Sequence, residues 1–249
     1  MEIVFGIHPV LECLRARTRE VERLIIAKGA ANKAIQEIID LGRHHHVPIK
    51  FESRIVLDRQ AGGGIHQGVL AVCAVRPTID LEDLLSGLGP LPLVVVLDSI
   101  EDPRNLGAIL RTCAAAGADG VIIPKDHAAG LSPTVAKTAA GALDLLKISR
   151  VTNLVSAIKA LKDKGLWVAG VETDQSLPYA QLDGNIPLAV VFGNEDSGLR
   201  RLVRETCDFL VSIPTQGPMR SLNVSVASGI VLFELVRQRN ATSASGSKV

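Results

Sequence analysis

Three loops of this 249-residue chain combine polar side chains with glycines directly after strand-like segments. The first runs from Asp98 to Gly107 and leads into an alanine-rich helix that contains Arg111. In this loop Asn105 suits either a helix N-cap or an amide that binds a ligand, and Gly107 permits close approach of another backbone. Spacing alone favours a plainer interpretation of Arg111, as a solvated charge or one half of a structural ion pair.

The second loop spans residues 192–199 (FGNEDSGL) and also lies between a strand and a helix. It lacks the lysine and hydroxyl residue that follow the last glycine of a P-loop, and it lacks the second glycine of the dinucleotide-binding motif. Glu195 and Asp196 would repel a phosphate and better suit a hydroxyl, an amine or a cation. The alternative is a glycine-bounded turn whose acidic residues stabilise the N-terminus of the next helix.

The third loop spans residues 213–225 (IPTQGPMRSLNVS), where two prolines and a glycine predict a rigid path and Ser221 is predicted to cap a long closing helix. Asn223, Ser225 and Ser228 are polar positions in an otherwise apolar stretch. Buried amides and hydroxyls need partners, and a ligand can be one of them. The alternative is capping and back-bonding within the helix, which is common for serine and less so for asparagine.

The elements around these loops predict an α/β fold. A continuous β-branched run such as residues 93–97 (LVVVL) buries both of its faces, as strands of parallel sheets do. Alternation of strands and helices predicts a mostly parallel sheet with helices on both faces, whose ligands bind beyond the carboxyl ends of the strands. The predicted strands are 93–97, 121–123, 145–148, 167–171, 188–192 and 210–213, and the predicted helices are 105–117, 135–143, 153–164, 199–207 and 221–239.

Composition divides the chain into segments. Residues 76–92 hold three prolines and two glycines around one short helical turn, which is typical of a linker. Residues 1–75 before it predict a small α/β domain, with strands at 23–29 and 68–75 and a helix at 32–42 behind an asparagine cap. Residues 93–240 predict the larger domain, and the small polar residues 241–249 predict a disordered tail.

Composition also excludes several classes of protein. A net charge of +1 excludes a polycation that holds nucleic acid by net charge alone, although it permits a local basic patch. No apolar run reaches the roughly 18 residues of a membrane span, and no signal peptide is visible. The four cysteines read as buried apolar residues in a reducing compartment, and the consecutive His44–His46 cannot converge on one metal ion. We expect a cytoplasmic protein with no membrane partner.

Taken together, the three loops resemble the motifs of the SpoU (TrmH) class of SPOUT methyltransferases, which methylate a ribose 2′-hydroxyl in RNA. The resemblance covers roughly residues 92–239, and the third motif is the most specific. Residues 1–75 are similar to the L30e-like substrate-binding domain of those members that methylate a guanosine of 23S rRNA. The segments that carry these resemblances are Asn105-x-Gly107 with Arg111, Gly193-x-Glu195-x-x-Gly198, residues 213–225, Gly6-Ile7-His8 and His66-Gln67-Gly68.

The resemblance implies a SPOUT-type parallel sheet with a C-terminal deep trefoil knot, and a homodimer through the knotted domain with the last helix in the interface. It implies S-adenosyl-L-methionine as methyl donor and requires no metal. Asp196, Ser197 and Thr215 depart from the usual family pattern, which puts fine substrate contacts in doubt more than the reaction. The residues implied to bind the cofactor are Gly193, Ile213, Leu222 and, as a weaker candidate, Thr173; those implied in catalysis are Arg111, Asn105, Glu195, Ser221 and Asn223.

The implied reaction is an in-line attack of a ribose oxygen on the sulfonium methyl group. A 2′-hydroxyl is a poor nucleophile at neutral pH, so it must lose its proton or be polarised. Arginine is always protonated in proteins, which argues against Arg111 as an ordinary base. We expect Arg111 to hold the adjacent phosphate and stabilise developing alkoxide charge, Asn105 and Glu195 to orient this network, and Ser221 and Asn223 to fix substrate and cofactor loop.

Other functions stay open from the sequence. A tRNA 2′-O-methyltransferase of the same class and a non-catalytic knotted RNA-binding protein are the two nearest alternatives. A small-molecule α/β enzyme that uses a nucleotide is disfavoured because both phosphate-binding motifs are absent. Aromatic residues make up only 3% of the chain, so we expect structured RNA to be recognised by shape rather than by base stacking.

Overall fold

The structure is a computed structural model that describes residues 2–17, 20–74, 78–173 and 177–246. The chain forms two compact units, Met1–Pro77 with Leu131–Leu145 and Thr78–Gly130 with Leu146–Val249. This division differs from the sequence prediction in two places. Residues 131–145, expected in the larger domain, belong to the first unit, and residues 78–92, expected to be a linker, belong to the second.

The first unit contains a four-stranded sheet with helices packed against it. Asn32 caps its second helix as predicted, because the side chain accepts a hydrogen bond of 2.8 Å from the Ile35 backbone N–H. The elements are β1 (Glu2–Phe5), α1 (Ile7–Ala16), β2 (Val21–Ala27), α2 (Lys33–His44), β3 (Ile49–Glu52), α3 (Arg54–Gln60), β4 (Val69–Cys73) and, later in the chain, α6 (Pro133–Ala139) and the 3-10 turn Ala142–Asp144. The strand order is β1-β4-β2-β3, with β4 antiparallel to both neighbours.

The core of the first unit brings two distant cysteines together. Cys13 on α1 and Cys73 on β4 are both buried, and their sulfur atoms lie 3.5 Å apart. The prediction that cysteines serve as small buried apolar groups is confirmed for these two. Their contact joins residues 60 positions apart, which the sequence does not reveal.

The second unit contains a seven-stranded sheet in which every neighbouring pair of strands is parallel. Its elements are α4 (Leu81–Ser86), β5 (Leu93–Leu97), α5 (Pro103–Ala115), β6 (Gly120–Pro124), β7 (Ile148–Val151), α7 (Leu154–Asp163), β8 (Trp167–Glu172), β9 (Leu177–Pro178), the 3-10 turn Tyr179–Gln181, β10 (Leu188–Phe192), α8 (Arg201–Thr206), β11 (Phe209–Ser212) and α9 (Val224–Gly246). The strand order is β7-β6-β5-β10-β8-β11-β9. The predicted parallel α/β sheet is confirmed.

All residues of β5 and β10 are buried, so both faces of the sheet are covered. Val94 and Val96 face a core cluster that also contains buried residues of α4, α7 and α8. Helices α5 and α9 contact each other and carry further buried apolar side chains. No helix within the described ranges combines the length and apolar composition that crossing a membrane requires.

Several helix ends differ from the sequence prediction. Helix α5 begins at Pro103 because Asp102, not Asn105, is its N-cap and accepts a 2.8 Å hydrogen bond from the Arg104 backbone N–H. Helix α9 begins at Val224 rather than at Ser221. It continues to Gly246, so residues 241–246 are helical and not the start of a disordered tail, since alanine and serine there do not break a helix. Residues 247–249 lie outside the described residues.

The predicted linker contains part of the second unit's core. Leu84 on α4 is fully buried and leaves no room for a side chain at Gly120, whose Cβ would lie 2.7 Å from Leu84 Cδ1. Leu91, in the same segment, is 40% exposed. Segment 78–92 is therefore a structural element as well as a connection.

Leu84→Ala should lower the free energy of unfolding by about 2–5 kcal/mol, because it leaves a cavity in a packed core. Leu91→Ala, the control in the same segment, should change it by less than about 0.5 kcal/mol. Urea unfolding followed by circular dichroism measures both values. Equal, small effects of the two substitutions would restore the interpretation of this segment as a linker.

Candidate active site

A cavity of about 310 Å³ opens at the carboxyl ends of the strands of the second unit. Its walls come from the loops that follow β8, β10 and β11, which are neighbours in the sheet or one strand apart. The volume lies at the lower end of the range for small-molecule sites. The lining residues are Val171, Glu172, Thr173, Phe192, Gly193, Asn194, Glu195, Asp196, Ser197, Gly198, Ile213, Thr215, Arg220, Ser221, Leu222, Val224 and Ala227.

The loop after β10 folds tightly back on itself. Asn194 and Gly198 exchange backbone hydrogen bonds of 3.1 and 2.9 Å, which close a turn around the three residues between them. A Cβ atom at Gly193 would overlap the backbone of Gly198, so only glycine fits there. Gly198 itself has a φ of 67°, in the left-handed region that glycine adopts without strain. The two glycines hold Glu195 at the tip of a compact turn.

Glu195 joins the three polar loops through one carboxylate oxygen. Its Oε1 accepts a hydrogen bond of 2.5 Å from the amide nitrogen of Asn105 and another of 2.5 Å from that of Asn223. The Asn223 side-chain nitrogen also donates a 3.1 Å hydrogen bond to the side-chain oxygen Oδ1 of Asn105. Oε2 of Glu195 makes no hydrogen bond with any residue that the structure describes. One oxygen is thus held by two amides and the other can accept a proton or a hydrogen bond.

The starts of two helices orient these amides. Because Asp102 caps α5, Asn105 lies within its first turn and its side chain reaches Glu195 instead of the helix backbone. Asn223 directly precedes α9, and its side-chain oxygen Oδ1 accepts hydrogen bonds from the Ser225 backbone N–H at 2.9 Å and from the Ser225 hydroxyl at 2.5 Å. Asn223 therefore takes the capping role predicted for Ser221, and its NH2 group is turned toward Glu195.

The structure places most of the predicted site residues together. Gly193, Ile213, Leu222 and Thr173, the four cofactor candidates, all line the cavity, as do Glu195 and Ser221. Asn105 and Asn223 reach it through Glu195. Ser228, in contrast, donates a 2.8 Å hydrogen bond to the Ser225 carbonyl within α9, as the plainer interpretation of this serine predicts.

Arg111 is the exception among the site candidates. It is exposed on α5, does not line the cavity, and makes no hydrogen bond or ion pair with any residue in the described part of the chain. Six residues separate it from Asn105, which corresponds to about 9 Å along a helix axis. The structure therefore leaves its guanidinium group without a partner among the described residues.

Sequence reasoning missed several residues around the cavity. Glu172 ends β8 and Arg220 precedes Ser221, and both line the wall. The sequence predicts Asn194 only as part of a turn, but its side chain fastens that turn to the end of β5 by donating a 3.0 Å hydrogen bond to the Ser99 carbonyl. Polar residues directly after a buried strand were the available signal for Asn194.

Cys207, at the end of α8, is no alternative nucleophile for this region. Burial, with a smaller contribution from the Asp208 carboxylate, raises the pKa of its thiol to about 12. The thiol is therefore protonated near neutral pH, and a protonated thiol is unreactive toward methyl donors and metals. No group of three or more metal-binding side chains is assembled within the described residues.

Comparison with known proteins agrees with this geometry. The SpoU rRNA Methylase family matches residues 92–233, and a family described as RNA 2′-O ribose methyltransferase substrate binding matches residues 3–77. Two relatives named 23S rRNA (guanosine-2′-O-)-methyltransferase RlmB, from Pseudomonas putida and Escherichia coli K12, are 40% and 41% identical to this chain. Each match covers 96% of this chain, with 97% and 99% of the relative.

A solved structure shows the same architecture. The SpoU methyltransferase AviRb from Streptomyces viridochromogenes, in complex with the cofactor AdoMet, superposes with a TM-score of 0.82 at 26% identity. The match covers 96% of this chain and 90% of that one. The fold of this chain is thus that of a SpoU methyltransferase. The chain belongs to the SpoU family of RNA 2′-O-ribose methyltransferases, as the three sequence motifs predict.

Gly193→Ala should lower the free energy of unfolding by about 1–3 kcal/mol, because the added methyl group overlaps the Gly198 backbone. Gly217→Ala is the matched control, since a Cβ there meets no atom within 4 Å and the φ is not positive. Denaturant unfolding of both variants gives the difference. If both glycines tolerate alanine equally, the close approach of the two backbones is not a constraint on this turn.

Proposed function

We propose that this protein transfers a methyl group from S-adenosyl-L-methionine to the ribose 2′-hydroxyl of a guanosine in 23S rRNA, in the cytoplasm. The observation that carries the proposal is the Glu195 carboxylate, which two amides hold at the wall of the cavity with one oxygen free. The named activity of the RlmB relatives, with near-complete coverage of both chains, supports the substrate.

The cavity fits S-adenosyl-L-methionine by its chemistry. Gly193 and Gly198 line the cavity, where their backbone can hydrogen-bond an adenosine edge, and Ile213 and Leu222 supply apolar walls. Glu172, Glu195 and Asp196 surround it with carboxylates, which suit hydroxyls and positive charge. Phe192, Gly193, Ile213, Leu222 and Thr173 would hold the cofactor, which when bound supplies a methyl group on a positively charged sulfur.

This chain's residues then act on the ribose. Oε2 of Glu195 accepts a hydrogen bond from the 2′-hydroxyl, which increases the negative charge on the ribose oxygen, and takes up the hydroxyl proton as that oxygen is methylated. Asn105 and Asn223 keep the carboxylate from turning. Ser221 lines the same cavity and can donate a hydrogen bond to the ribose or the cofactor loop. The free guanidinium of Arg111 holds a phosphate of the bound RNA and stabilises developing alkoxide charge.

The family resemblance supports three further features of the assembly. The first unit serves as an L30e-like RNA-binding domain, in keeping with the substrate-binding family that matches residues 3–77. The loops after β10 and β11 form a deep trefoil knot, supported by the position of β10 between β5 and β8 in the sheet.

A homodimer through α9 is the third feature. The family resemblance implies four interface residues on this helix, Leu232, Phe233, Leu235 and Val236. Two of them, Leu232 and Leu235, are fully buried within their own chain. Phe233 is 49% exposed and Val226 is 50% exposed on the same helix, so these two apolar side chains are available to a second copy. The proposed interface therefore rests on the exposed side of α9.

Incubation with methyl-labelled S-adenosyl-L-methionine and unmodified 23S rRNA, followed by digestion to nucleosides, tests the proposal. We expect label in 2′-O-methylguanosine from rRNA. Label only in total tRNA, tested in parallel, would keep the reaction and replace the substrate. Binding of the cofactor with no label in either RNA would indicate the non-catalytic alternative.

Glu195→Gln should lower kcat by about 100-fold or more, because an amide is a much weaker proton acceptor than a carboxylate. Glu205→Gln, which alters an exposed ion pair with Arg201 on α8, is the control and should leave kcat unchanged. Single-turnover rates at saturating cofactor measure the effect. A Glu195→Gln variant with the parent rate would remove the carboxylate from the mechanism.

Arg111→Ala should lower the methylation rate by about 100-fold through lost stabilisation of negative charge. Because an arginine side chain does not titrate near neutral pH, the shape of the pH–rate profile should be the same in the variant and the parent. A methylation rate that changes with pH in the parent but not in the variant would contradict this electrostatic role.

A further inference from the structure

Asp98 occupies the point where the carboxyl end of β5 meets the loop that carries Glu195. Its side chain is fully buried, which is uncommon for an acidic residue. Hydrogen-bond donors must therefore offset the free-energy cost of removing the carboxylate from water. Oδ2 accepts a 2.8 Å hydrogen bond from the Arg200 backbone N–H, and Oδ1 accepts one of 2.6 Å from Arg200 Nε. The Ser99 hydroxyl donates a third, of 3.1 Å, to Oδ1. Asp98 thus fastens the far end of the loop to the end of β5.

A second attachment fastens the near end of the same loop. Asn194 donates a 3.0 Å hydrogen bond from its side-chain nitrogen to the Ser99 carbonyl oxygen, one residue beyond Asp98. Its side-chain oxygen accepts a 3.0 Å hydrogen bond from the Asp196 backbone N–H, so the amide cannot rotate without loss. Ser99 has a φ of 61°, a left-handed conformation that turns its carbonyl toward Asn194 and is rare for a residue other than glycine.

Glu195 lies between the two attachment points. We propose that Asp98 is a positioning residue of the active site: with Ser99 and Asn194 it fixes the turn 194–198 against β5, and so sets where the Glu195 carboxylate meets Asn105 and Asn223. The inference rests on the proposed role of Glu195. Asn105 follows β5 in the chain. The carboxyl end of β5 therefore helps to position both Asn105 and Glu195, which share the 2.5 Å hydrogen bond.

The chain offers a comparison that separates positioning from simple stabilisation. Asp119 accepts a 2.7 Å hydrogen bond from the Leu93 backbone N–H, at the opposite end of β5 from the cavity. Both aspartates hold this strand to a neighbouring segment, but only Asp98 holds the loop with Glu195. Asp119→Asn is therefore the matched control for Asp98→Asn.

In Asp98→Asn, the new NH2 group faces either the backbone N–H or the Nε of Arg200, so one of the two hydrogen bonds from Arg200 is lost. The shape of the side chain is kept. We expect kcat to fall by about 10- to 100-fold, as displacement of a reacting group by about 1 Å produces, with KM for RNA unchanged within about twofold. Asn194→Asp, which removes the donor to Ser99 but keeps the acceptor for Asp196, should have the same effect. Asp119→Asn should lower the thermal midpoint without changing kcat.

Hydrogen exchange of the Asn194 and Gly198 amides gives a readout that needs no catalysis, because these amides are paired with each other across the turn. Exchange should accelerate at least tenfold in Asp98→Asn and remain unchanged in Asp119→Asn. Unchanged exchange and unchanged kcat in Asp98→Asn would overturn the inference, as would equal losses of kcat in the two aspartate variants. If the parent protein methylates no RNA, the proposed function fails, and the exchange rates alone then decide whether Asp98 holds the turn.

Discussion

One carboxylate oxygen, Oε1 of Glu195, accepts hydrogen bonds from two amides that lie 90 and 28 residues away in the sequence. Hydrogen bonds to an ionised acceptor are short and directional, so two of them fix the plane of the carboxylate. An exposed glutamate without such partners would sample several rotamers. These two hydrogen bonds require the segments that carry Glu195, Asn105 and Asn223 to hold their positions within a fraction of an ångström. The surrounding structure can be understood from this requirement.

The parallel sheet and the helix starts together meet the requirement. Phe192 at the end of β10 is paired in register with Leu97 at the end of β5, so the loops that carry Glu195 and Asn105 leave the sheet side by side. The N-cap then sets the direction of each amide. A shift of the α5 start by one residue would rotate Asn105 by about 100° around the helix axis and take its amide away from Glu195. Strand register sets the distance between these loops, and capping sets their direction.

The sequence reveals the strands more readily than the contacts between loops. Residues 93–97 and 188–192 are confirmed as strands with the predicted bounds, because a short apolar run between turn residues has few alternatives. Asp102, Asn105, Ser221 and Asn223 all have side chains that can cap a helix, and local propensity does not select among them. The hydrogen bonds that Arg200 donates to Asp98 join residues 102 positions apart, and no periodicity in one sequence reports such a pair. Family motifs predict the site residues, whereas the geometry among these residues becomes visible only in the fold.

The arginines of the second unit differ in whether they are paired with an acidic residue. Arg200 forms an ion pair with buried Asp98, so its guanidinium group has a structural role. The guanidinium groups of Arg104, Arg111 and Arg220 make no hydrogen bond or ion pair with the residues that the structure describes, so each keeps its full capacity to bind a phosphate. Arg104 and Arg111 are seven residues apart on α5, which places them on nearly the same side of the helix and about 10 Å apart along it. In a chain with a net charge of only +1, attraction of a polyanion depends on such free groups and not on the total charge. The pair of Asp98 and Arg200 thus fastens the loop that carries the Glu195 carboxylate, whereas the unpaired arginines remain available to the phosphates of the proposed RNA substrate.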